Sequence, residues 1–476
     1  MVLRCFRTGL VACALCVLGL APLRAETLSG FSADEVATRT LERRAVEAMI
    51  WGMSAANYDL MRQEMLDTTD AEVNQVLYWG RPLDWMNQTL TPNPDTMYFM
   101  TFYDTREGPV VIEIPPAGDD GSLNANLVTA WQKPLEDFGL LGVDKGKGGK
   151  FAVLPPGFTG SVPEGITPIQ SDTYGGFALI RANLKGHAPE DVAKSVAYGK
   201  KVEVYPLAEA ANPPATVFVD AEDVLFDSTI RYDATFYEHL NRVIQEEPWL
   251  DRDRAMIDTL ATLGIVQGQP FKPDAATRAA LDAAAVEAHA YLGSVLERGW
   301  GAFYDGTHWR AAAPPALAKA AGEGFMTPDA YPVDLRGTIY TIGYVGIKRL
   351  GAGQFYLIAL LDKDGAPLDG AKSYRLTVPP DVPVEQYWSA TVYDRQSHAL
   401  VRHMDRASRA SNASDLAKNP DGSVDIWFGP EAPAGKEANW VPTDPLRDFE
   451  VMFRLYAPTK ALFDKTWTLP DIEAVK

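Results

Sequence analysis

The chain has 476 residues, with 63 acidic and 44 basic side chains, and a formal net charge of −19 at pH 7. Such an acidic balance argues against nucleic acid and against anionic lipid surfaces as partners. All three cysteines, Cys5, Cys13 and Cys16, lie near the N-terminus, so the rest of the chain offers neither disulfides nor thiolate metal ligands.

Residues 1–25 have the pattern of a cleavable secretory signal peptide. Arg4 and Arg7 form a basic start, an uncharged apolar run follows, and Ala25 is a small residue at the expected cleavage position. The apolar run is too short for a bilayer span, which requires about 20 residues. Cys13 leaves a lipid-anchored alternative open, although little apolar sequence precedes it. We expect a mature periplasmic protein that begins at Glu26, contains no disulfide and does not cross a membrane.

The first half of the mature chain predicts one helix followed by a β region. Residues 32–66 combine a Ser32–Glu35 capping box with an apolar helical periodicity. From Tyr98 to about Leu207, short β-type runs are separated by turn residues, and we interpret the Gly142–Gly149 stretch as a hairpin loop.

Helices and then strands are predicted for the second half. Residues 233–300 are cut by prolines into three helical pieces, with Asp233 and Asp274 as N-caps. After Gln354 the β pattern returns, with runs roughly ten residues apart, as in a sandwich or jelly roll.

The fold class that follows is α+β. We predict two antiparallel β-sandwich or jelly-roll-like domains, with an N-terminal helix and a helical segment between the domains. The predicted boundaries are 26–230 for the N-terminal domain, 231–350 for the helical connecting region and 351–476 for the C-terminal β domain.

Several motifs in order resemble a known two-domain bacterial family. The C-terminal ones are Tyr387–Asp394, Asn419–Ser423, Asn439–Pro442 and Arg454–Pro458, which resemble the domain of unknown function 1214. Thr91–Tyr98 is similar to the signature of its usual N-terminal companion, the domain of unknown function 1254. The resemblance implies two domains built around antiparallel sheets, the second similar in outline to the jelly rolls of peptide N-glycanases. One departure is Ala457, where relatives commonly have tryptophan.

The first candidate site is the loop that contains Asn93 and Asp95. Pro92 and Pro94 stiffen it, so that an amide and a carboxylate are presented at fixed angles. A structural Asx turn is the alternative interpretation. Upstream residues that could share a cleft with this loop are Arg81, Trp85 and Asn87.

The second candidate follows the predicted strand that ends near Tyr393. Asp394, Arg395, His398 and His403 could supply acid/base groups or, through the two histidines and the carboxylate, ligands for a metal. The spacing of the histidines is weak evidence for a metal site, and a solvated loop is the alternative, so neither a metal nor a cofactor is predicted.

The third candidate combines Asn439 and Trp440 with Arg454 and Tyr456. A tryptophan beside an asparagine is typical of a sugar-stacking platform, although a core tryptophan is equally compatible with the pattern. Arg454 and Tyr456 are two residues apart on one predicted strand and so share a face, where Arg454 could bind a carboxylate.

Two functions remain open from the sequence. One is an envelope hydrolase or lyase that acts on a glycan or small polar substrate through Asp95 and Asp394 in a cleft between the domains. The predicted substrate-binding residues are Asn93, Arg81, Trp85, Asn439, Trp440, Arg454 and Tyr456. The alternative is a non-enzymatic binding or envelope-maintenance protein. Carboxylates about 5–10 Å apart across a cleft would favour hydrolysis.

Overall fold

The computed structural model describes residues 30–343, 346–349 and 353–475. The predicted signal peptide and its cysteines lie outside the described residues. The described residues up to Thr40 belong to one compact unit, and those from Leu41 onward belong to another. Within the first, the predicted capping box is confirmed, because the Glu35 N–H donates to Ser32 Oγ (3.2 Å) and the Ser32 N–H donates to Glu35 Oε2 (3.0 Å).

Eight α-helices occur in the described part of the chain. They are α1 (Ala33–Thr68), α2 (Pro189–Gly199), α3 (Thr235–Glu246), α4 (Met256–Ala261), α5 (Ala275–Arg298), α6 (Pro315–Gly322), α7 (Val333–Ile342) and α8 (Lys460–Phe463). The predicted N-terminal helix and the three predicted central helices, α3 to α5, are thus confirmed. Asp274 caps α5 as predicted, by accepting the Thr277 N–H (2.8 Å). The N-cap of α3 is Ala234 and not the predicted Asp233, whose carboxylate accepts the Thr235 N–H (2.8 Å).

Twelve strands of the described chain precede α3. They are β1 (Val76–Tyr78), β2 (Asn87–Gln88), β3 (Thr96–Asp104), β4 (Val110–Ile114), β5 (Leu123–Thr129), β6 (Pro134–Gly139), β7 (Gly149–Leu154), β8 (Ile166–Gln170), β9 (Gly175–Asn183), β10 (Glu203–Pro206), β11 (Phe218–Asp220) and β12 (Phe226–Asp227). They form a six-stranded sheet in the order β11-β1-β3-β9-β5-β6, a four-stranded sheet in the order β10-β4-β7-β8, and the pair β12-β2. Since β6 and β7 belong to different sheets, the Gly142–Gly149 stretch is a connection between sheets and not the predicted hairpin loop.

The described strands after α5 form two further sheets. They are β13 (Arg310–Ala311), β14 (Gln354–Ala359), β15 (Ser373–Val378), β16 (Trp388–Asp394), β17 (Ser408–Ala410), β18 (Val424–Gly429), β19 (Trp440–Pro442), β20 (Phe449–Tyr456) and β21 (Glu473–Val475). The five-stranded sheet has the order β13-β14-β20-β16-β17, and the four-stranded sheet has the order β19-β18-β15-β21.

The α+β class with an N-terminal helix is confirmed, but the sheets are not wholly antiparallel. Parallel pairs join β1 to β11, β2 to β12, β7 to β8 and β18 to β19. The chain between the two strands of each parallel pair has at least ten residues, whereas a tight hairpin joins antiparallel strands.

Strand β3 is almost continuously apolar because it is buried on both faces. Met97 and Phe99 share a core with the N-terminal four-stranded sheet, whereas Met100 and Phe102 pack against a core that includes α1, α3 and α5. The six-stranded sheet therefore turns its Tyr98–Phe102 face toward the helices and away from its partner sheet.

The five-stranded C-terminal sheet also uses both faces. Val451 and Phe453 of β20 join the core shared with the C-terminal four-stranded sheet. Arg454 and Tyr456 lie on the opposite face, which contacts the loop 89–95 that precedes β3. In the part of the chain that the structure describes, no helix has the length and apolar composition of a membrane span.

Candidate ligand-binding cavity

The six-stranded N-terminal sheet and the five-stranded C-terminal sheet border one cavity. Its volume is about 790 Å³, counting the space at its mouth. Both sheets, the loop 89–95 and the C-terminal end of α7 contribute to its lining. The cavity thus lies where the N-terminal and C-terminal β regions meet.

Each sheet places one arginine directly opposite one tyrosine on this cavity. Arg181 of β9 is paired in register with Tyr98 of β3, and Arg454 of β20 with Tyr356 of β14. The Arg181 guanidinium carbon is 5.7 Å from the Tyr98 ring centroid, and that of Arg454 is 5.3 Å from the Tyr356 ring centroid. Directly opposite residues project from the same face of a sheet, so each arginine–tyrosine pair forms one row across its sheet.

The two arginine–tyrosine rows also interact with each other. Burial disfavours the charged form of both guanidiniums, yet nearby tyrosines raise the pKa of both above the ordinary value. Tyr356 of the C-terminal sheet acts on Arg181, and Tyr98 of the N-terminal sheet acts on Arg454. All four residues of the two rows line the cavity.

Neither guanidinium has a carboxylate partner. Arg181 and Arg454 are only 7% and 2% exposed. Arg181 Nη1 donates to Asn126 Oδ1 (2.8 Å) and its Nε has no hydrogen-bond partner, while Arg454 donates to Thr391 Oγ1 (3.1 Å) and to the Thr91 carbonyl (2.7 Å). Among the described residues, no carboxylate oxygen lies within 4.0 Å of either group. Buried charges without a counter-charge are unfavourable, so the site favours an anion.

Other buried arginines of this chain are neutralised or enclosed. Arg62 is paired with Asp59 (3.2 Å) and Arg409 with Asp415 (2.6 Å). Arg336 is packed over three aromatic rings instead. What distinguishes Arg181 and Arg454 is that both line a single cavity.

Strained backbone also lies at the cavity wall. Thr91 has φ = 40°, a left-handed conformation that is rare for a β-branched residue. Its N–H donates to the His398 carbonyl (2.7 Å), its hydroxyl donates to the Ile342 carbonyl (2.7 Å), and its own carbonyl accepts from Arg454. Backbone strain of this kind is concentrated at functional sites and persists only where surrounding contacts enforce it.

Asn93 and Asp95 form part of the layer behind the cavity. Asn93 Oδ1 accepts the Asp95 N–H (3.0 Å), so the side chain that forms the Asx turn is Asn93 and not Asp95, and Asn93 Nδ2 donates to the Tyr456 hydroxyl (2.6 Å). Asp95 Oδ2 accepts from Ser408 Oγ (2.8 Å), and its Oδ1 is 3.4 Å from His187 Nε2. Burial raises the pKa of Asp95, against the opposing influence of His187, Ser408 and Arg454.

The structure does not bring Asp95 and Asp394 together as the predicted catalytic pair. Ser408, which binds Asp95, is paired with Thr391, and Asp394 lies three residues further along β16, about 10 Å away by strand geometry and on the alternate face. Asp394 is paired with Arg447, whose Nη2 is 2.8 Å from its Oδ1. Although burial acts to raise the pKa of Asp394, the Arg447 and Ser397 hydrogen bonds lower it overall.

Two upstream residues predicted to bind substrate lie elsewhere. Arg81 is paired with Asp223 at the surface (3.0 Å), and the Trp85 ring is 4.3 Å from the His403 ring. Neither belongs to the cavity lining.

Asn439 and Trp440 make structural bonds in place of the predicted sugar platform. Asn439 Nδ2 donates to the carbonyls of Ala417 (2.7 Å) and Asp425 (2.9 Å), and Trp440 Nε1 donates to the Gly429 carbonyl (2.9 Å). Backbone carbonyls therefore occupy the Asn439 amide N–H groups that were predicted to bind sugar hydroxyls. Of the third candidate set, Arg454 lines the cavity and Tyr456 contacts Asn93 behind it.

The two loop histidines, His398 and His403, have different contacts. His398 Nδ1 is 2.9 Å from Glu450 Oε1, whereas His403 contacts the Trp85 ring. Within residues 30–343, 346–349 and 353–475, no group of three or more His, Cys, Asp or Glu side chains is arranged to hold a metal ion.

Sequence reasoning missed Arg181, Tyr98 and Tyr356. The available signal was the single charged residue in the otherwise apolar strand Gly175–Asn183, which is buried at eight of its nine positions. A lone arginine in such a strand either is enclosed or faces a polar cavity.

Comparisons with known proteins agree with the motifs. Residues 73–206 match a protein family of unknown function (DUF1254), and residues 353–460 match a second one (DUF1214), which confirms both resemblances. The VPA0106 protein of Vibrio parahaemolyticus is 18% identical, with a TM-score of 0.58 over 92% of this chain and 100% of its own, and shows a related fold. An uncharacterised protein from Burkholderia cenocepacia is 12% identical, with a TM-score of 0.43 over 93% of this chain and 96% of its own. No curated protein matches the chain.

Proposed function

We propose that the protein binds a small organic anion between the two sheets. The chain combines a DUF1254 region with a DUF1214 region, and both are families of unknown function, so the proposal is based on the cavity. The observation that carries this proposal is the pair of buried guanidiniums, Arg181 and Arg454. Both line one cavity, and neither has a carboxylate partner among the described residues.

The donors at the cavity suit an oxyanion. A guanidinium presents a planar set of N–H groups that matches carboxylate or phosphate oxygens. The Nε of Arg181 has no hydrogen-bond partner, and the Tyr98 hydroxyl accepts the Asn93 N–H (3.0 Å). The cavity lies where the two β regions meet, and small-molecule sites are common at such junctions.

Binding without hydrolysis is the function that these contacts support best. Asp394 is engaged by Arg447, and Asp95 is held by Ser408 behind the cavity wall, so the two-carboxylate arrangement of a glycoside hydrolase is not available from them. The non-enzymatic alternative from the sequence therefore takes precedence.

We propose in addition that the protein acts in the periplasm after removal of residues 1–25. The support is the basic, apolar and small-residue order of that segment. We also propose that the two sheets of each β region form a β-sandwich of jelly-roll type within the predicted domains, because each pair of sheets shares one apolar core.

Substitution of the two arginines tests the proposed function. Native mass spectrometry of the purified protein and calorimetric titration with carboxylates should detect binding, and Arg181→Met or Arg454→Met should weaken it by roughly 100-fold, the scale for removing a buried charge partner. Arg254→Met is the matched control, because Arg254 is exposed and does not line the cavity. Equal affinity in all three variants would contradict the proposal.

A further inference from the structure

Along each sheet, the cavity lining changes from polar to apolar side chains between one pair of opposite residues and the next pair on the same face. Two residues beyond the Tyr98–Arg181 row, Met100 is paired with Leu179. Two residues beyond the Tyr356–Arg454 row, Met452 is paired with Ile358. The step corresponds to about 7 Å along a strand. Both sheets therefore carry a cationic row followed by an apolar row.

From this matched gradient we infer that the ligand is a monocarboxylate with an apolar tail, an inference that rests on the proposed anion binding. The carboxylate lies between the two guanidiniums. The tail lies against Met100, Leu179 and Met452, which belong to the cavity lining.

The charge distribution favours a single anionic group. Both arginines belong to the polar rows, whereas the residues of the apolar rows carry no charge. A second carboxylate at the far end of the ligand would be buried against apolar side chains without a donor, which is unfavourable. Dicarboxylates of the same length should therefore be rejected.

The apolar row also determines what kind of tail fits. Leu90, Ile342 and Phe355 also belong to the apolar lining of the cavity. Methionine side chains are flexible and adapt to differently shaped partners. The cavity thus suits tails that vary in length or ring content more than it suits polar, hydroxylated ones.

A titration series with matched ligands tests the inference. Acetate, hexanoate and decanoate vary the tail, adipate adds a second carboxylate to the length of hexanoate, and hexyl phosphate changes the head group. Until the cavity is filled, affinity should increase by roughly three- to fourfold for each added methylene. Adipate should bind at least about 100-fold more weakly than hexanoate because of its buried second charge.

Variants of the apolar row test the contribution of the ligand's tail to affinity separately from that of its head group. Met452→Gln, which nearly preserves shape, and Leu179→Asn should each reduce the affinity ratio of hexanoate to acetate by about tenfold or more. Leu225→Asn, at an exposed leucine, is the control and should leave that ratio unchanged.

The outcomes distinguish this inference from the proposed function. If anions bind tightly but their affinity does not depend on tail length, the inference of an amphipathic monocarboxylate is wrong. The same holds if adipate or hexyl phosphate binds more tightly than hexanoate. In both cases the proposed anion binding is still supported. Failure of every anion to bind the wild-type protein would overturn both.

Discussion

The buried guanidinium of Arg181 donates a hydrogen bond to the neutral amide oxygen of Asn126, whereas most buried arginines are paired with a carboxylate. Asn126, which accepts from Arg181, in turn donates to Asp137 Oδ1 (2.9 Å). The carboxylate thus orients Asn126 without neutralising Arg181 directly. A residue arranged in this way is expected to favour binding at the expense of stability.

Replacing Arg181 should separate these two effects. We predict that Arg181→Met raises the free energy of unfolding of the ligand-free protein by about 1 kcal/mol, because an uncompensated buried charge is removed, while anion binding is lost. Urea unfolding measures the first effect and calorimetry the second. Arg62→Met is the control: it leaves buried Asp59 without one of its cationic partners and should destabilise by several kcal/mol. A loss of stability in Arg181→Met as large as in Arg62→Met would contradict the prediction.

Asp95 is predicted to modulate the anion site and not to perform catalysis. Asp95→Asn removes a negative charge that acts on Arg454 but keeps an acceptor for Ser408. Anion affinity should rise by a few-fold, and the free energy of unfolding should change by no more than about 1 kcal/mol, the scale of one hydrogen bond. Asp394→Asn should leave affinity unchanged and lower stability, because Arg447 loses its partner. Weaker binding in Asp95→Asn would argue against this role.

Glu247 should make stability depend on pH. Burial raises its pKa from 4.5 to about 7, although its carboxylate accepts the N–H groups of Tyr174 (2.6 Å) and Gly175 (2.8 Å). Because the folded state holds this proton more tightly than the unfolded state, stability is present below pH 4.5 and is lost as pH rises through 7. The loss should total about 3 kcal/mol.

Denaturant unfolding between pH 4 and pH 8 measures this contribution. Because Glu247→Gln has no titratable group at this position, its free energy of unfolding should lose about 3 kcal/mol less than that of the wild type over this pH range. This difference does not depend on the absolute stability of the variant. Glu287→Gln, at an exposed position of α5, should retain the wild-type slope. Identical slopes in wild type and Glu247→Gln would exclude the assignment.

At the scale of elements, the loop 89–95 connects the two β regions. Tyr393 of β16 donates to the Pro92 carbonyl (2.6 Å), Arg454 of β20 donates to the Thr91 carbonyl, and Asn93 donates to Tyr456. These bonds join an N-terminal loop to three positions of one C-terminal sheet face. The loop therefore forms a wall of the cavity while it holds the two regions together.

Helix α5 shows how far a local signal determines an element. Its alanine-rich sequence favours a helix, and Asp274 satisfies the Thr277 N–H at its first turn. We predict that Asp274→Ala lowers the free energy of unfolding by about 1 kcal/mol. Glu287→Ala, exposed within the same helix, should change it by less than about 0.5 kcal/mol. Thermal unfolding of both variants provides the comparison, and equal effects would argue against the cap.

At the scale of the whole molecule, export remains a prediction from residues 1–25. Edman sequencing of protein isolated from the periplasm should begin at Glu26, because Ala25 ends the signal pattern. The thermal midpoint of that protein should not change with reductant, since no cysteine follows Cys16. A mature N-terminus before Cys16, or a midpoint sensitive to reductant, would refute the cleavage site.

The predicted domain boundaries also remain predictions at this scale. The two family regions, residues 73–206 and 353–460, lie within the predicted N-terminal and C-terminal domains. Residues Leu41–Lys476 form one compact unit, and the cavity lining draws on both regions.

Local sequence patterns were sufficient for the elements and for the family. Helix α5 was predicted at its observed bounds, and β20 likewise, because caps, turn residues and apolar periodicity act between near neighbours in the chain. The motifs from Thr91 to Tyr98 and from Tyr387 to Pro458 identified both family regions for the same reason.

Tertiary structure alone decided which polar residues meet. Arg181 and Arg454 are 273 positions apart (454 − 181), and only the packing of two sheets places them on one cavity. Asp394 was excluded from the site by the period of β16, which directs it to the face opposite Ser389 and Thr391, and by its pairing with Arg447. A sequence pattern records which face of its own strand a side chain occupies, but it contains no information about the strand that another region presents to that face.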